Sequence, residues 1–346
     1  MVHVAPNRER RVLKAGHSSI AVTLPKPWAE AMNLRPGDIV VFDQNDDGAL
    51  YLKPAPAPGS AAASSPYLVQ APCFDVPGVL TRLVVSAYRV GHDSIEIRTD
   101  APLSADRLEE LQAASRGLLG VSVVAQDPNR VVLQNFVDPS KYALPQLVQR
   151  MKMILIAFLD EAETSLVGTG RARRPASLRE ETDKVLALLV RQLFLASRDW
   201  SLARRIGSPD PRQLIEWRVV VHSLEELGEL LARVAEETRA LPRGAKGTAG
   251  PIGHLLGEVR TNLKTAIEAI MRPSLAAACE AYGETLRLRG EILEEARRKR
   301  VGALRPALGT IFLALERSSD CLTALAEVAM DRAVAVGAET ILVGAA

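Results

Sequence analysis

Residues 218–237 read RVVVHSLEELGELLARVAEE, and residues 307–333 read ALGTIFLALERSSDCLTALAEVAMDRA. Laid over each other on their apolar positions, both carry Leu, Glu, three residues and an acid: Leu224-Glu225 to Glu229, and Leu315-Glu316 to Asp320. Leu224, Leu227 and Leu231 in one stretch, and Leu315, Leu322 and Leu325 in the other, recur at the period of an amphipathic helix. Carboxylates four apart share a helical face at about 6 Å, where like charges cost a few tenths of a kcal/mol. The same arrangement in two helices points to an internal duplication. Paired acids beside an apolar stripe offer a cation all-oxygen ligation. Taken singly, each pair also reads as an ordinary solvated face balanced by Arg218, Arg233 or Arg317.

Working outward, the chain from 143 to 336 is expected to be helical, broken at Pro175, Pro209 to Pro211, Pro242 to Pro251, Pro273 and near Gly302. That spacing gives about six helices in two three-helix bundles, 143–241 and 252–340, separated by the loop PRGAKGTAGP. The middle helix of the first bundle adds the acidic run Glu180-Glu181-Thr182-Asp183. Residues 67–142 read as a small α/β segment. It holds a helix from Gly78 to Arg89, a strand in SIEIRTD, a helix from Ser104 to Leu119, and a hairpin around Asp127 to Arg130. Residues 54–66 (PAPAPGSAAASSP) form an uncharged linker. Residues 1–53 alternate apolar and polar at Val12, Ile20, Val22 and Leu24, then hold a short helix and a hairpin turning at Asp46-Asp47-Gly48. So few apolar side chains build no single-chain core, so this module is expected to dimerise.

Over 346 residues, 47% are apolar and 24% charged, which excludes wholesale disorder, and 4% aromatics favour helical layers. Forty-three Lys and Arg against 41 Asp and Glu leave +2, so any nucleic-acid surface must be local. That surface is sought in Arg8, Arg10, Arg11, Lys14 and Lys26, opposed within the first 27 residues by Glu9 alone. Cys73, Cys279 and Cys321 lack metal or disulfide spacing, and the latter two read as core. The five histidines lack zinc spacing, and His222, three before Glu225, reads as a helix-surface residue. GAKGTAG lacks the ending of a phosphate-binding loop, and no nucleophile-elbow or dinucleotide motif occurs. With no long apolar run and no apolar leader, a cytoplasmic protein without a transmembrane segment is expected.

LEELGE (224–229) and LERSSD (315–320), together with EETDKVLALLVRQL (180–193), resemble the PhoU family of phosphate-uptake regulators. RRVLKAGHSSIAVTLPKPWAEAMNLRPGDIVVF resembles the AbrB/SpoVT swapped-hairpin DNA-binding module. The order of the two is that of archaeal-type PhoU regulators. The resemblance implies a mainly α fold of two PhoU-like three-helix bundles behind the hairpin module. It also implies metal ions or clusters (Fe, Zn, Mn or Mg) on the acidic faces, and no organic cofactor. Residue by residue, the ligands would be Glu225, Glu229, Glu316 and Asp320, with Asp183 and Glu181 from the neighbouring helix. Glu229 stands for an Asp, Ser318-Ser319 for Ile-Gly, and the second middle helix offers Glu291, Glu294 and Glu295 in no matching pattern.

The function expected is non-enzymatic regulation of phosphate uptake and phosphate homeostasis. A homodimer would dock, peripherally to membrane proteins, on a phosphate-transporter ATPase or a sensor-kinase-like protein, with DNA as a further partner. The alternative is an AbrB-type transcriptional regulator whose helical domain senses metal or ligand. An acid-cluster metalloenzyme would need an open coordination position and a substrate pocket, which the sequence does not show.

Overall fold

The computed structural model of the chain describes residues 9–44, 48, 50–55, 66–70, 76–168, 175–242, 246–298 and 305–337. It divides into two units, Met1–Ala63 and Ser64–Ala346.

The first unit is two hairpins around one short helix. Strands β1 (Leu13–Ala15) and β2 (Ser19–Ala21) pair antiparallel, Lys14 opposite Ile20, across a turn that contains Gly16 at φ +73°. Helix α1 (Lys26–Ala31) starts behind Pro25 with Pro27 in its first turn, where a missing backbone N–H costs nothing. Strands β3 (Val40–Gln44) and β4 (Leu50–Pro54) form the second hairpin. Of its expected turn, Gly48 has φ +83°, and Asp46 and Asp47 lie outside the described residues. None of this unit's described residues is buried; Ile20 is 77% and Phe42 62% exposed.

The second unit begins with a four-stranded sheet, β5 (Tyr67–Val69), β6 (Ser94–Arg98), β7 (Val121–Asp127) and β8 (Arg130–Asn135), in the order β5-β6-β8-β7. Only β5 and β6 are parallel. The crossover between them is α2 (Val79–Val90), and α3 (Ala105–Arg116) follows β6, with Ser104 Oγ accepting from the Arg107 N–H at 3.3 Å. Alternation along β6 and β8 puts Ile95, Ile97, Val131 and Leu133 into one core with Leu80, Val84 and Leu111. Helix α3 stops at Arg116, short of the expected Leu119, and the three-residue β5 beside the linker carries too little pattern to read.

The rest is helical: α4 (Leu144–Val167), α5 (Pro175–Ala196), α6 (Trp200–Arg205), α7 (Pro211–Ala240), α8 (Lys246–Met271), α9 (Leu275–Arg298) and α10 (Arg305–Ala335). Helices α4, α5 and α7 form one triplet and α8, α9 and α10 another; α7 lies against α10, and α4 against α8. The triplets share one apolar core that includes Leu155, Leu189, Leu224, Leu256 and Leu315. The expected loop from Pro242 to Pro251 is shorter than its composition implies, since α8 begins at Lys246 and carries Pro251 inside it. Pro251 removes one backbone hydrogen bond near the start of a 26-residue helix, which the remaining ladder tolerates. Cys321 is buried as expected, but Cys279 is exposed. The buried stripe of α9 runs through Ala278, Ala281, Thr285, Leu288 and Ile292, and the next residue after Ala278 turns about 100° away from it.

The α/β segment is docked on α5. Ala187 enters its core, and the buried Arg191 donates to Tyr88 O at 2.7 Å, His92 O at 2.9 Å and Asp93 Oδ1 at 2.5 Å. Its guanidinium also lies over the Tyr88 ring, whose hydroxyl burial pushes up to about 12.

Candidate functional site

The acidic face of the first triplet is built around a glycine. Leu224, Leu227 and Leu231 are fully buried along α7, which leaves Glu225 and Glu229 one turn apart at the edge of that stripe. Between them, Gly228 meets α5: a Cβ there would stand 3.3 Å from Thr182 Cγ2 and 3.6 Å from Leu155 Cδ2. The missing side chain lets α7 approach α5 closely at buried Thr182, and Asp183 is the next residue. Three carboxylates are thereby gathered. Asp183 is held above the usual carboxylate range, first by the protein packed around it and then by Glu229, with Glu225 adding to the effect. Arg89 and Arg179 pull it the other way.

Those two arginines also bind the neighbours. Arg89 Nη2, from α2, donates to Glu225 Oε1 at 3.2 Å, while Arg179 donates to Glu229 at 3.1 Å and to Glu236 at 3.0 Å. Two guanidiniums thus face four carboxylates. Glu181 is not part of this group: two residues before Asp183, it points about 200° around α5 and pairs with Arg150 at 3.0 Å. None of Arg218, Arg233 and Arg317 is the partner found for these acids. Arg179 was legible, one turn before Asp183 on the same helix; Arg89 lies 136 residues from Glu225 and left no local signal.

In the second triplet the corresponding acids face a cation. Arg289, on α9, lies 4.0 Å from Glu316 and 3.3 Å from Asp320. The guanidinium stands on the middle helix, as Asp183 does in the first triplet. Glu291 pairs with Arg287 at 2.6 Å, and Glu294 and Glu295 pair with Arg298. Ser319 takes the place of Gly228 and Ser318 that of Leu227; both are fully buried. Their hydroxyls donate to carbonyls of the same helix, Ser318 to Ala314 at 2.8 Å and Ser319 to Glu316 at 2.6 Å, so no polar atom is stranded. The third positions of the two motifs, Glu226 and Arg317, form an ion pair that joins α7 to α10.

Oxygen donors for a hard cation are present at Asp183, Glu225 and Glu229, but two of the three are engaged by arginine. Among the described residues no three His, Cys, Asp or Glu side chains are grouped closely enough to hold a metal ion. As placed, the acidic face fits guanidinium, and a metal ion would have to displace Arg89 and Arg179. His222 is exposed, as its position suggests.

On the hairpin unit, Arg10 and Arg11 lead into β1, which carries Lys14, and all three are exposed. Lys26 opens α1 with a side chain 87% exposed, 3.7 Å from Glu30 one turn on, a pairing worth little in water. Arg8 lies outside the described residues.

Residues 13–59 match the model of a family described as antidote-toxin recognition MazE, bacterial antitoxin. The match spans the strands and helix of the hairpin unit and ends before the helical body, and it supports the AbrB-like reading of that unit. No curated protein and no solved structure matches the chain. Among the described residues no helix is long and apolar enough to cross a membrane.

Proposed function

We propose that this chain is a non-enzymatic regulator of inorganic phosphate uptake and phosphate homeostasis. The hairpin unit makes it a homodimer and gives it a basic surface for DNA. The helical body of PhoU-like helices docks on a phosphate-transporter ATPase or a sensor-kinase-like protein. The observation that carries this reading is the union, in one chain, of an AbrB-like unit lacking any buried described residue with a doubled helical body bearing matched acidic motifs. The first needs a second copy to cover its apolar side chains. The second offers long ordered helices with charged outer faces.

A cation site at Asp183, Glu225 and Glu229 is part of the proposal, because four carboxylates there exceed the charge of two arginines. The second face is assigned to the Arg289 ion pairs instead.

A second reading is favoured by the match over residues 13–59: a transcriptional regulator whose helical body senses a metal or ligand. One variant separates the two. Arg10→Ala, Arg11→Ala and Lys14→Ala together should abolish shifts of promoter fragments and flatten the salt dependence of any residual binding. If the triple variant still restores phosphate-controlled uptake in cells lacking the protein, docking is the working mechanism. If phosphate control is lost with DNA binding, the transcriptional reading stands. If uptake is indifferent to deletion of the whole chain, the phosphate reading fails.

A further inference from the structure

Helix α9 carries two heptad stripes, and the fold uses one of them. Ala278, Ala281, Thr285, Leu288 and Ile292 recur at alternating steps of three and four and are buried against α8 and α10. On the far face Ala276, Cys279, Gly283, Leu286, Gly290 and Leu293 recur at the same steps. Among the described residues no element packs on that second stripe. Leu286 is 48% exposed, Cys279 is exposed, and a Cβ built on Gly283 or Gly290 would meet open space.

The open stripe is complementary to itself. Ala276, Gly283 and Gly290 stand seven apart and leave hollows, while Cys279, Leu286 and Leu293, also seven apart, stand out as knobs. In an antiparallel pair of α9 helices with Gly283 opposite the partner's Leu286, Cys279 meets the partner's Gly290 and Ala276 the partner's Leu293. Two-fold symmetry repeats each contact, so every hollow receives a knob. A parallel pair would set glycine against glycine and leave the hollows empty.

Charges on the flanks choose the register. Here Glu280 lies beside the partner's Arg287 and Tyr282 beside the partner's Arg289, and no like charges meet between the two helices. One heptad along, the partner's Leu293 would also fill Gly283, but Arg287 and Arg289 would each face their own copies and Glu280 would face the partner's Glu294. Arg287 already holds Glu258, Glu284 and Glu291, so the flanks set register and add little affinity.

We infer that α9 is a contact between two copies of this chain, antiparallel, with Leu286 of each seated over the partner's Gly283. The patch is modest, so the contact rests on the hairpin-unit dimer proposed above, whose tether raises the effective concentration of the second α9.

Cysteine cross-linking of the full chain tests this, in a Cys73→Ser background that keeps Cys279 and the buried Cys321. With a short bis-maleimide, Gly290→Cys should give a covalent dimer through the partner's Cys279, and adding Cys279→Ser should remove it. Without Gly290→Cys no link should form, because the two Cys279 side chains stand about 16 Å apart along the axis in this register. Leu286→Glu, which puts a carboxylate over the hollow, should remove most of the link. Sedimentation of the same samples reports the hairpin dimer separately. A dimer in which Gly290→Cys gives no link overturns the α9 contact and leaves the homodimer standing, whereas a monomer overturns both. Linking of Cys279 to itself in the background chain overturns the antiparallel register, and so does a link that Leu286→Glu leaves unchanged.

Discussion

Asp183 shares its face with Glu225 and Glu229, and its raised pKa makes it the residue most sensitive to pH in that group. A folded-state value above the ordinary 3.8 means that the native protein holds the proton more tightly than the unfolded chain. The associated stability is present below 3.8 and lost as pH rises through the raised value. Asp183→Asn should therefore raise the melting temperature at pH 7. The gain would be about 0.2–0.5 kcal/mol, the scale of repulsion between neighbouring helix carboxylates, and should fade as pH falls toward 4. A gain that does not depend on pH would show that Asp183 is no more than a surface residue. The pairing of Glu225 with Glu229 could be read directly from the spacing of one helix. The same spacing, two residues on one helix, turns Glu181 away from Asp183; that Arg89 would arrive from another element could not be read, because side-chain pairing across 136 residues leaves no periodic trace.

At the scale of elements, the hairpin unit is where sequence and structure agree most closely. Val12, Ile20, Val22 and Leu24 alternate as a strand pattern should, and in the described chain all four are exposed. Burying four such side chains is worth about 1.5–3 kcal/mol each, which a second copy of the unit would supply. A fragment of residues 1–54 should sediment as a dimer at micromolar concentration and lose its strand signal on dilution; a folded monomer at that concentration would contradict it. Boundaries were less legible than elements. Helix α8 runs six residues ahead of the expected 252, because glycine and proline composition marks a loop only when tertiary packing does not override it. Cys279 misled for a related reason: a stripe read as broad in sequence is, on α9, one residue narrower, with Ala278 filling the core position.

For the whole molecule the decisive measurement is thermal. If a divalent or ferric ion displaces Arg89 and Arg179 from the acidic face, it should stabilise the fold by about 2.7 kcal/mol at a hundred times its Kd. EDTA should reverse that gain, and Glu225→Gln with Glu229→Gln should abolish it. A wild type that melts identically with and without metal would leave these acids as ion-pair partners. The double variant would then cost about 0–1 kcal/mol, as exposed salt bridges do. The general architecture of a small β unit followed by many helices was readable because proline breaks and apolar periods recur over hundreds of residues. The union of the two triplets in one core was not readable, since periodicity shows that a helix has an apolar face and not which neighbour covers it.

The ion pair between Glu226 and Arg317 bears on which surfaces the two triplets can present to each other. Both occupy the third place of their motif, on the two helices that lie against each other where the triplets meet. Were either half to associate with its twin, that place would bring glutamate to glutamate or arginine to arginine. Opposite charges at matching places of the two motifs thus set the triplets apart, like plug and socket. A partly exposed pair is worth about 0–1 kcal/mol, so it tilts the seam toward this pairing of triplets without deciding it.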